Sequence, residues 1–137
     1  MVYHNYLRGR ITVYQVKIIN KDKKIAMLKW EGMVKASEIK EVDSELKRFK
    51  EEFNNEKFYL IVDVKDLKVF SPDAKELIVE QQKWIKSSLH VSAVVMDKKL
   101  IERQLKELGS KSTTNEIEVP FPTYEEALAY VEELASK

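Results

Sequence analysis

Hydrophobic and polar positions form blocks along this chain, and the longest apolar block lies near its middle. Residues 58–64 read Phe-Tyr-Leu-Ile-Val-Asp-Val, and the mostly polar residues 65–69 predict a short turn after them. A nearly continuous apolar run of this length is typical of a strand buried on both faces, as in the middle of a parallel sheet. Residues 90–96 have the same character. We therefore predict that these two strands are adjacent or nearly so, parallel and central in one sheet.

The remaining apolar positions predict the elements that surround these strands. Residues 10–19 and 24–30 flank a polar turn, which predicts an antiparallel hairpin. Other segments repeat apolar residues every three or four positions, as amphipathic helices do when they bury one face. These helical segments are residues 37–53, 72–86, 98–108 and 124–134, and a short last strand at residues 116–121 precedes the final one.

The predicted order of elements is ββαβαβαβα. Strands that alternate with helices pair in parallel through right-handed crossovers, whereas the opening hairpin adds an antiparallel pair. We therefore predict an α/β fold with a single mixed, mostly parallel sheet of about five strands and helices packed on it. The pattern contains no linker or internal repeat, so residues 1–137 are predicted to form one domain.

Composition narrows the classes of partner and compartment. Hydrophobic residues make up 44% of the chain and charged residues 34%, as in a folded domain, and the net charge is +1. A charge this small gives no global field for nucleic acid, so no nucleic-acid partner is expected. No apolar run approaches the roughly 18–20 residues of a membrane span. The first residues lack the apolar segment of a signal peptide, so we expect a cytoplasmic protein.

The residue types that carry most enzyme chemistry are scarce in this sequence. There is no cysteine, the histidines are the isolated His4 and His90, and the three glycines form no phosphate-binding motif. No nucleophile has a base at a recognisable spacing from it. The sequence therefore predicts no metal site, no cofactor and no enzymatic activity.

The helix that follows the central strand has a marked start signal. Ser71, Pro72 and Asp73 place a capping residue, a proline and an acid in the order that helix N-termini prefer. We predict that Ser71 Oγ accepts a backbone N–H of the first turn and that Asp73 faces solvent there.

Two acids and two tryptophans are the other candidate functional residues. Asp63 and Asp66 flank the carboxyl end of the central strand, where open α/β sheets place ligands. The alternative for Asp63 is a strand-end carboxylate bonded to nearby backbone amides. Trp30 and Trp84 either pack in the core or line a cleft.

These features together resemble the STAS domain family, which joins sulfate transporters and anti-sigma factor antagonists. The resemblance rests on the element order, on YLIVDVKDLKVFSPDA around the central strand and on FPTYEEALAYVEEL at the end, and it covers roughly residues 24–134. Stand-alone bacterial STAS/SEC14-like proteins are the members that the sequence is most similar to. The resemblance implies a SpoIIAA-like fold and a regulatory, non-catalytic role.

In the antagonists, an Asp-Ser-Ser/Thr-Gly motif follows the strand, and a partner kinase phosphorylates its third residue. Aligned without gaps, that motif falls on residues 71–74, so Asp73 occupies the phospho-acceptor position and Ala74 replaces the glycine. A serine/threonine kinase cannot phosphorylate an aspartate. The resemblance therefore implies a docking loop without the usual phospho-acceptor serine, in which Asp73 carries a permanent negative charge.

Two functions follow from the resemblance. The first is a module that docks a protein partner of unknown identity through the loop and helix start at residues 66–76, with candidate contacts at Asp66, Ser71, Asp73 and Glu76. The second is a SEC14-like carrier of a small apolar ligand or lipid, with a candidate cleft formed by Trp30, Asp63, Phe70 and Trp84. Formation of a homodimer is a further expectation.

Overall fold

Two parallel strands, β6 (Phe58–Asp63) and β8 (Leu89–Val95), lie side by side in the interior of a five-stranded sheet. A computed structural model of the chain describes residues 6–7, 10–11, 14–96 and 117–137. The described sheet has the order β3 (residues 14–20), β4 (25–30), β6, β8 and β9 (118–121). The predicted central, parallel and adjacent placement of the two most apolar strands is confirmed.

The other strands of this sheet are β3 (Tyr14–Asn20), β4 (Ile25–Trp30) and β9 (Glu118–Phe121). β3 pairs antiparallel with β4, while β4, β6, β8 and β9 are all parallel. The mixed, mostly parallel sheet and the opening hairpin are therefore confirmed. β9 is the last strand in the described sheet order and contains Pro120, a residue that sheets tolerate at their edges because it lacks an N–H donor.

Two helices cover one face of the sheet and one helix covers the other, within the described residues. α1 (Ala36–Glu52) and α2 (Pro72–Lys86) pack on the face that includes Trp30, Leu60 and Val94. α3 (Tyr124–Ala135) packs on the opposite face against other side chains of the same strands. Each central strand thus buries side chains on both faces, which explains its nearly continuous apolar sequence.

The ends of α1 and α3 follow local sequence signals. Residues Asn54 and Asn55 follow α1 with φ of 59° and 60°, a left-handed conformation that asparagine tolerates well, and they end the helix as predicted. Thr123 caps α3, since its Oγ1 accepts the Glu126 backbone N–H at 3.1 Å.

The structure differs from the sequence prediction at two places in the chain. Residues 65–69, predicted as a turn, contribute to β7 (Leu67–Phe70), which pairs in parallel with β5 (Gly32–Val34) in a separate two-stranded sheet. Residues 10–11, predicted to begin the first long strand, form β2 (Arg10–Ile11) and pair antiparallel with β1 (Tyr6–Leu7). The predicted helix at 98–108 lies outside the described residues.

Candidate functional site

The candidate site is the carboxyl edge of the sheet, where the chain leaves β4 and β6. Each of these strands continues into a short strand, β5 after β4 and β7 after β6, and the two short strands pair with each other. β7 leads directly into α2. We call the surface made by β5 and residues 66–76, which include β7 and the start of α2, the β5–β7 platform. It contains the whole segment 66–76 that the sequence resemblance implies for docking.

Backbone hydrogen bonds join the two halves of this platform. The Gly32 N–H donates to the Asp66 carbonyl oxygen and the Ser71 N–H donates to the Val34 carbonyl oxygen, both at 2.9 Å. Gly32 has φ +61°, in the left-handed region that glycine adopts without strain, and this conformation turns the chain from β4 into β5. The loop before α2 is therefore part of an ordered ladder.

Acids at the carboxyl end of β6 help to hold the start of the platform. One oxygen of the buried Asp63 carboxylate accepts the Lys65 backbone N–H at 3.1 Å. Asp66 forms an ion pair with Lys29, with 3.2 Å between Nζ and Oδ2. Burial opposes the charge on Lys29, but the hydrogen bond to Asp66 and the nearby carboxylates outweigh it and raise the pKa of the ammonium. Lys29 is therefore a cation held among acids.

The start of α2 differs in detail from the sequence prediction. Ser71 occupies the capping position, but its hydroxyl makes no cap bond to a backbone N–H. Instead, Ser71 Oγ donates to Asp73 Oδ1 at 2.5 Å, a bond that the negative charge of the acceptor strengthens. The predicted position of Ser71 before a helix that begins at Pro72 is thus confirmed, and the predicted cap hydrogen bond is wrong. Asp73 is exposed in the first turn of the helix, as expected.

The four predicted partner-binding residues occupy different parts of the platform. Ser71 and Asp73 are in contact, and the exposed Glu76 lies three positions further along α2, where side chains of a helix are neighbours. Asp66 lies at the other end of β7, and its exposed carboxylate is paired with Lys29. The structure therefore brings Ser71, Asp73 and Glu76 together at the helix start and separates Asp66 from them by one short strand.

Sequence reasoning missed an exposed apolar pair on this platform. Among the described residues, the large hydrophobic side chains that are exposed are Met33 and Val69, at 53% and 38%. They are direct partners across β5 and β7. Since they come from segments about 35 positions apart, only the pairing of the two short strands brings them together. The apolar character of each short segment was the available signal.

The four residues of the predicted cleft do not form one. Trp30 and Phe70 are buried and pack edge to face, with ring centroids 6.1 Å apart, on the α1–α2 side of the sheet. Asp63 is paired in register with Lys29, and the alternation of side chains along β6 directs it to the α3 side. On that side the pKa of Tyr124 is raised, mainly by burial, then by the acids of α3 and by the charge of Asp63. Asp63 therefore lies on the opposite face from the two aromatic rings.

Trp84, the fourth of these residues, packs on the outer part of the α1–α2 side. The ammonium of Lys47 lies 5.5 Å from the centroid of its ring, and in the described part of the chain its indole N–H is buried without a hydrogen-bond acceptor. A cavity of about 50 Å³ on this side is lined by Trp30 and Phe70, by aliphatic side chains and by four polar residues that include Glu118. Trp84 does not line it.

Within the described ranges, no three histidine, aspartate or glutamate side chains converge as metal ligands would. None of the helices described combines the length and apolar character that crossing a bilayer requires.

Comparison with solved structures identifies the architecture. A protein of the DUF3478 family from Shewanella loihica PV-4, uncharacterised and with a SpoIIAA-like fold, superimposes with a TM-score of 0.72, at 11% identity over 92% of this chain and 99% of that one. The fold is SpoIIAA-like. This confirms the fold that the STAS resemblance implied.

SpoIIAA itself is also structurally similar to the chain. The unphosphorylated anti-sigma factor antagonist SpoIIAA gives a TM-score of 0.61, at 11% identity over 87% of this chain and 97% of that one. The phosphorylated form of SpoIIAA, a Bacillus cell fate determinant, gives 0.59, at 10% identity over 86% and 98%. No protein-family model matches the sequence, and comparison with curated proteins gives no significant match. At these identities the structural likeness establishes the fold alone.

Proposed function

We propose that this protein is a non-catalytic regulatory module that docks a protein partner on the β5–β7 platform, through residues 66–76 and the adjoining β5. The observation that carries the proposal is the exposed pair Met33 and Val69: Val69 lies within the segment 66–76, and Met33 adds apolar area directly beside it. Methionine is common at protein-binding surfaces because its flexible, polarisable side chain adapts to different partners. The platform therefore offers apolar contact area together with charged groups that can give specificity.

The charges beside this pair support the same role. Asp73 and Glu76 are exposed at the start of α2, and Asp73 is fixed in orientation by its bond from Ser71. The SpoIIAA-like fold adds support by analogy, since SpoIIAA is an anti-sigma factor antagonist that has a phosphorylated form. In this chain the negative charge of Asp73 is permanent. We propose that it contributes a fixed contact to a cytoplasmic partner.

Charge reversal at Asp73 tests the proposal. The variant Asp73→Lys should lose partners that the wild type retains in pull-downs from the native host, because it places a cation at the centre of the docking surface. The matched control is Glu125→Lys, which reverses an exposed acid at the equivalent second position of α3. Both variants should keep a cooperative thermal melt. If Asp73→Lys and Glu125→Lys retain the same partners as the wild type, the docking proposal is wrong.

A carrier of small apolar ligands is the second candidate function. Its structural support is the cavity of about 50 Å³ next to Trp30 and Phe70. For comparison, one water occupies about 30 Å³ in the liquid, and a cavity of about 150 Å³ holds benzene. The cavity would have to enlarge to accept a lipid chain, so we favour the docking function. Native mass spectrometry separates the two, because co-purified apolar mass at one ligand per chain would support the carrier.

A further inference from the structure

The β5–β7 platform packs on the main sheet through buried side chains such as Phe70, and it begins at the β6–β7 turn, residues 64–66. β7 pairs with β5, and neither strand is a member of the five-stranded sheet in the described chain. At the start of the platform, the Leu67 N–H donates to the Val64 carbonyl oxygen at 3.1 Å and the Gly32 N–H donates to the Asp66 carbonyl oxygen. These bonds fix residues of the turn to one another and to β5. Two side chains of the main sheet reach this turn: Asp63 of β6 accepts the Lys65 backbone N–H, and Lys29 of β4 forms the ion pair with Asp66.

Lys29 is well placed to make that contact. It lies in β4, one residue before Trp30 at the end of the strand, and its Cα is paired in register with that of Asp63 in β6. Its side chain is 23% exposed, so the ammonium is held close to the sheet, while the Asp66 side chain at the other end of the ion pair is 61% exposed. The ion pair therefore joins a rigid strand to an outer turn.

The acids near Lys29 favour a cation at this position. The carboxylates of Asp63, Asp66 and Glu31 all act on its ammonium group. Asp63, the last residue of β6, accepts the Lys65 backbone N–H, and Asp66 pairs with Lys29, so two carboxylates three residues apart act on the same cation. Without the lysine, two acids three residues apart would repel each other across the turn.

We infer that Lys29 is the positioning residue of the docking surface: it holds the β6–β7 turn, through Asp66 and Asp63, in the conformation in which β7 presents Val69. This inference rests on the proposed docking function. Lys29 does not contact the partner in this arrangement and acts through the turn. Replacing Lys29 changes none of the exposed side chains of the platform, but it lets the turn that precedes β7 open more often.

Amide hydrogen exchange at the turn tests the inference without any partner. In Lys29→Met, which keeps the apolar length of the side chain, the amides of Gly32 and Leu67 should exchange about two- to fivefold faster than in the wild type, the range expected for loss of a partly exposed ion pair. Lys29→Arg should restore wild-type rates, because it restores the cation. High salt should accelerate these amides in the wild type and not in Lys29→Met, since salt screens the ion pair.

The chain contains a matched control at the other end of the same strand pair. Lys24 and Glu56 form an ion pair of 3.1 Å with side-chain exposures of 32% and 62%, close to the values for Lys29 and Asp66. Lys24→Met should therefore leave the Gly32 and Leu67 amides unchanged. Unchanged exchange in Lys29→Met, or equal acceleration in Lys24→Met, would overturn the inference.

Partner binding then separates the inference from the docking proposal. Lys29→Met should weaken binding of whichever partner Asp73→Lys loses, and Lys29→Arg should recover it. If Asp73→Lys loses the partner but Lys29→Met binds it with wild-type affinity, the positioning role is wrong and the docking function stands. If Asp73→Lys loses no partner, the docking function fails, and the exchange rates of the turn alone report on Lys29.

Discussion

At the scale of single residues, the serine and the threonine at helix N-caps of the described chain behave differently. Thr123 accepts a hydrogen bond from a backbone N–H at the start of α3, whereas Ser71 at the start of α2 donates a hydrogen bond to the Asp73 carboxylate. The first arrangement satisfies a helix N–H that would otherwise lack a partner. The second makes an exposed side-chain bond whose loss leaves the helix N–H groups as they were. Residue type at a cap position therefore does not by itself determine the contribution to stability.

The two positions give a direct comparison of stability. Thr123→Ala should lower the free energy of unfolding by about 0.5–2 kcal/mol, the usual cost of removing an N-cap side chain. Ser71→Ala should lower it by less than about 0.5 kcal/mol, as expected of a surface substitution away from a cap. Urea denaturation of the two variants measures both values. A larger loss for Ser71→Ala than for Thr123→Ala would contradict the hydrogen-bond pattern described here.

At the scale of elements, the central strand β6 buries side chains on both faces of the sheet. Ile61 is fully buried on the α3 side, between β4 and β8 neighbours. Ile61→Ala should lower the free energy of unfolding by about 2–5 kcal/mol, through lost burial and the cavity left behind. Val69→Ala removes apolar atoms from an exposed position on β7, and its effect should stay within about 0.5 kcal/mol. A loss below about 1 kcal/mol for Ile61→Ala, measured by chemical denaturation, would contradict its burial.

The length of an element decided whether the sequence predicted it. Strands such as β6 and β8, and helices such as α1, extend over enough residues for their apolar pattern to be read. β5 and β7 have three and four residues, too few to show a period, and they pair with each other across more than thirty positions of sequence. The sequence therefore predicted the sheet and its order but not the short parallel pair at its edge.

The candidate site was likewise predictable from the sequence only in part. The segment 66–76 follows the central strand, and its place at the carboxyl edge follows from the topology. The contribution of Met33 depends on the β5–β7 pairing, and the faces of Trp30 and Asp63 depend on the register between β4 and β6. A shift of one residue in register exchanges the two faces of a strand, so alternation within each strand could not relate these side chains.

At the scale of the whole molecule, one carboxyl group should make stability depend on pH near neutrality. Glu118 lies on the edge strand β9, opposite Ser92 of β8, and lines the apolar cavity on the α1–α2 side. Burial there raises the pKa of its carboxyl group from 4.5 to about 7. The folded protein therefore holds a proton that the unfolded chain releases, over the range between these two values.

The sign of the effect follows from this difference. Between pH 4.5 and about 7 the folded state binds more protons than the unfolded state at Glu118, so the free energy of unfolding falls as pH rises and levels off above about 7. The full difference corresponds to about 3 kcal/mol, an upper bound because the side chain is only partly buried. Glu118→Gln keeps the shape and cannot ionise, so it should be as stable as the wild type near pH 4.5 and more stable at pH 8. Parallel curves for the two proteins, in denaturation measured from pH 4.5 to 8, would show that Glu118 does not control this dependence.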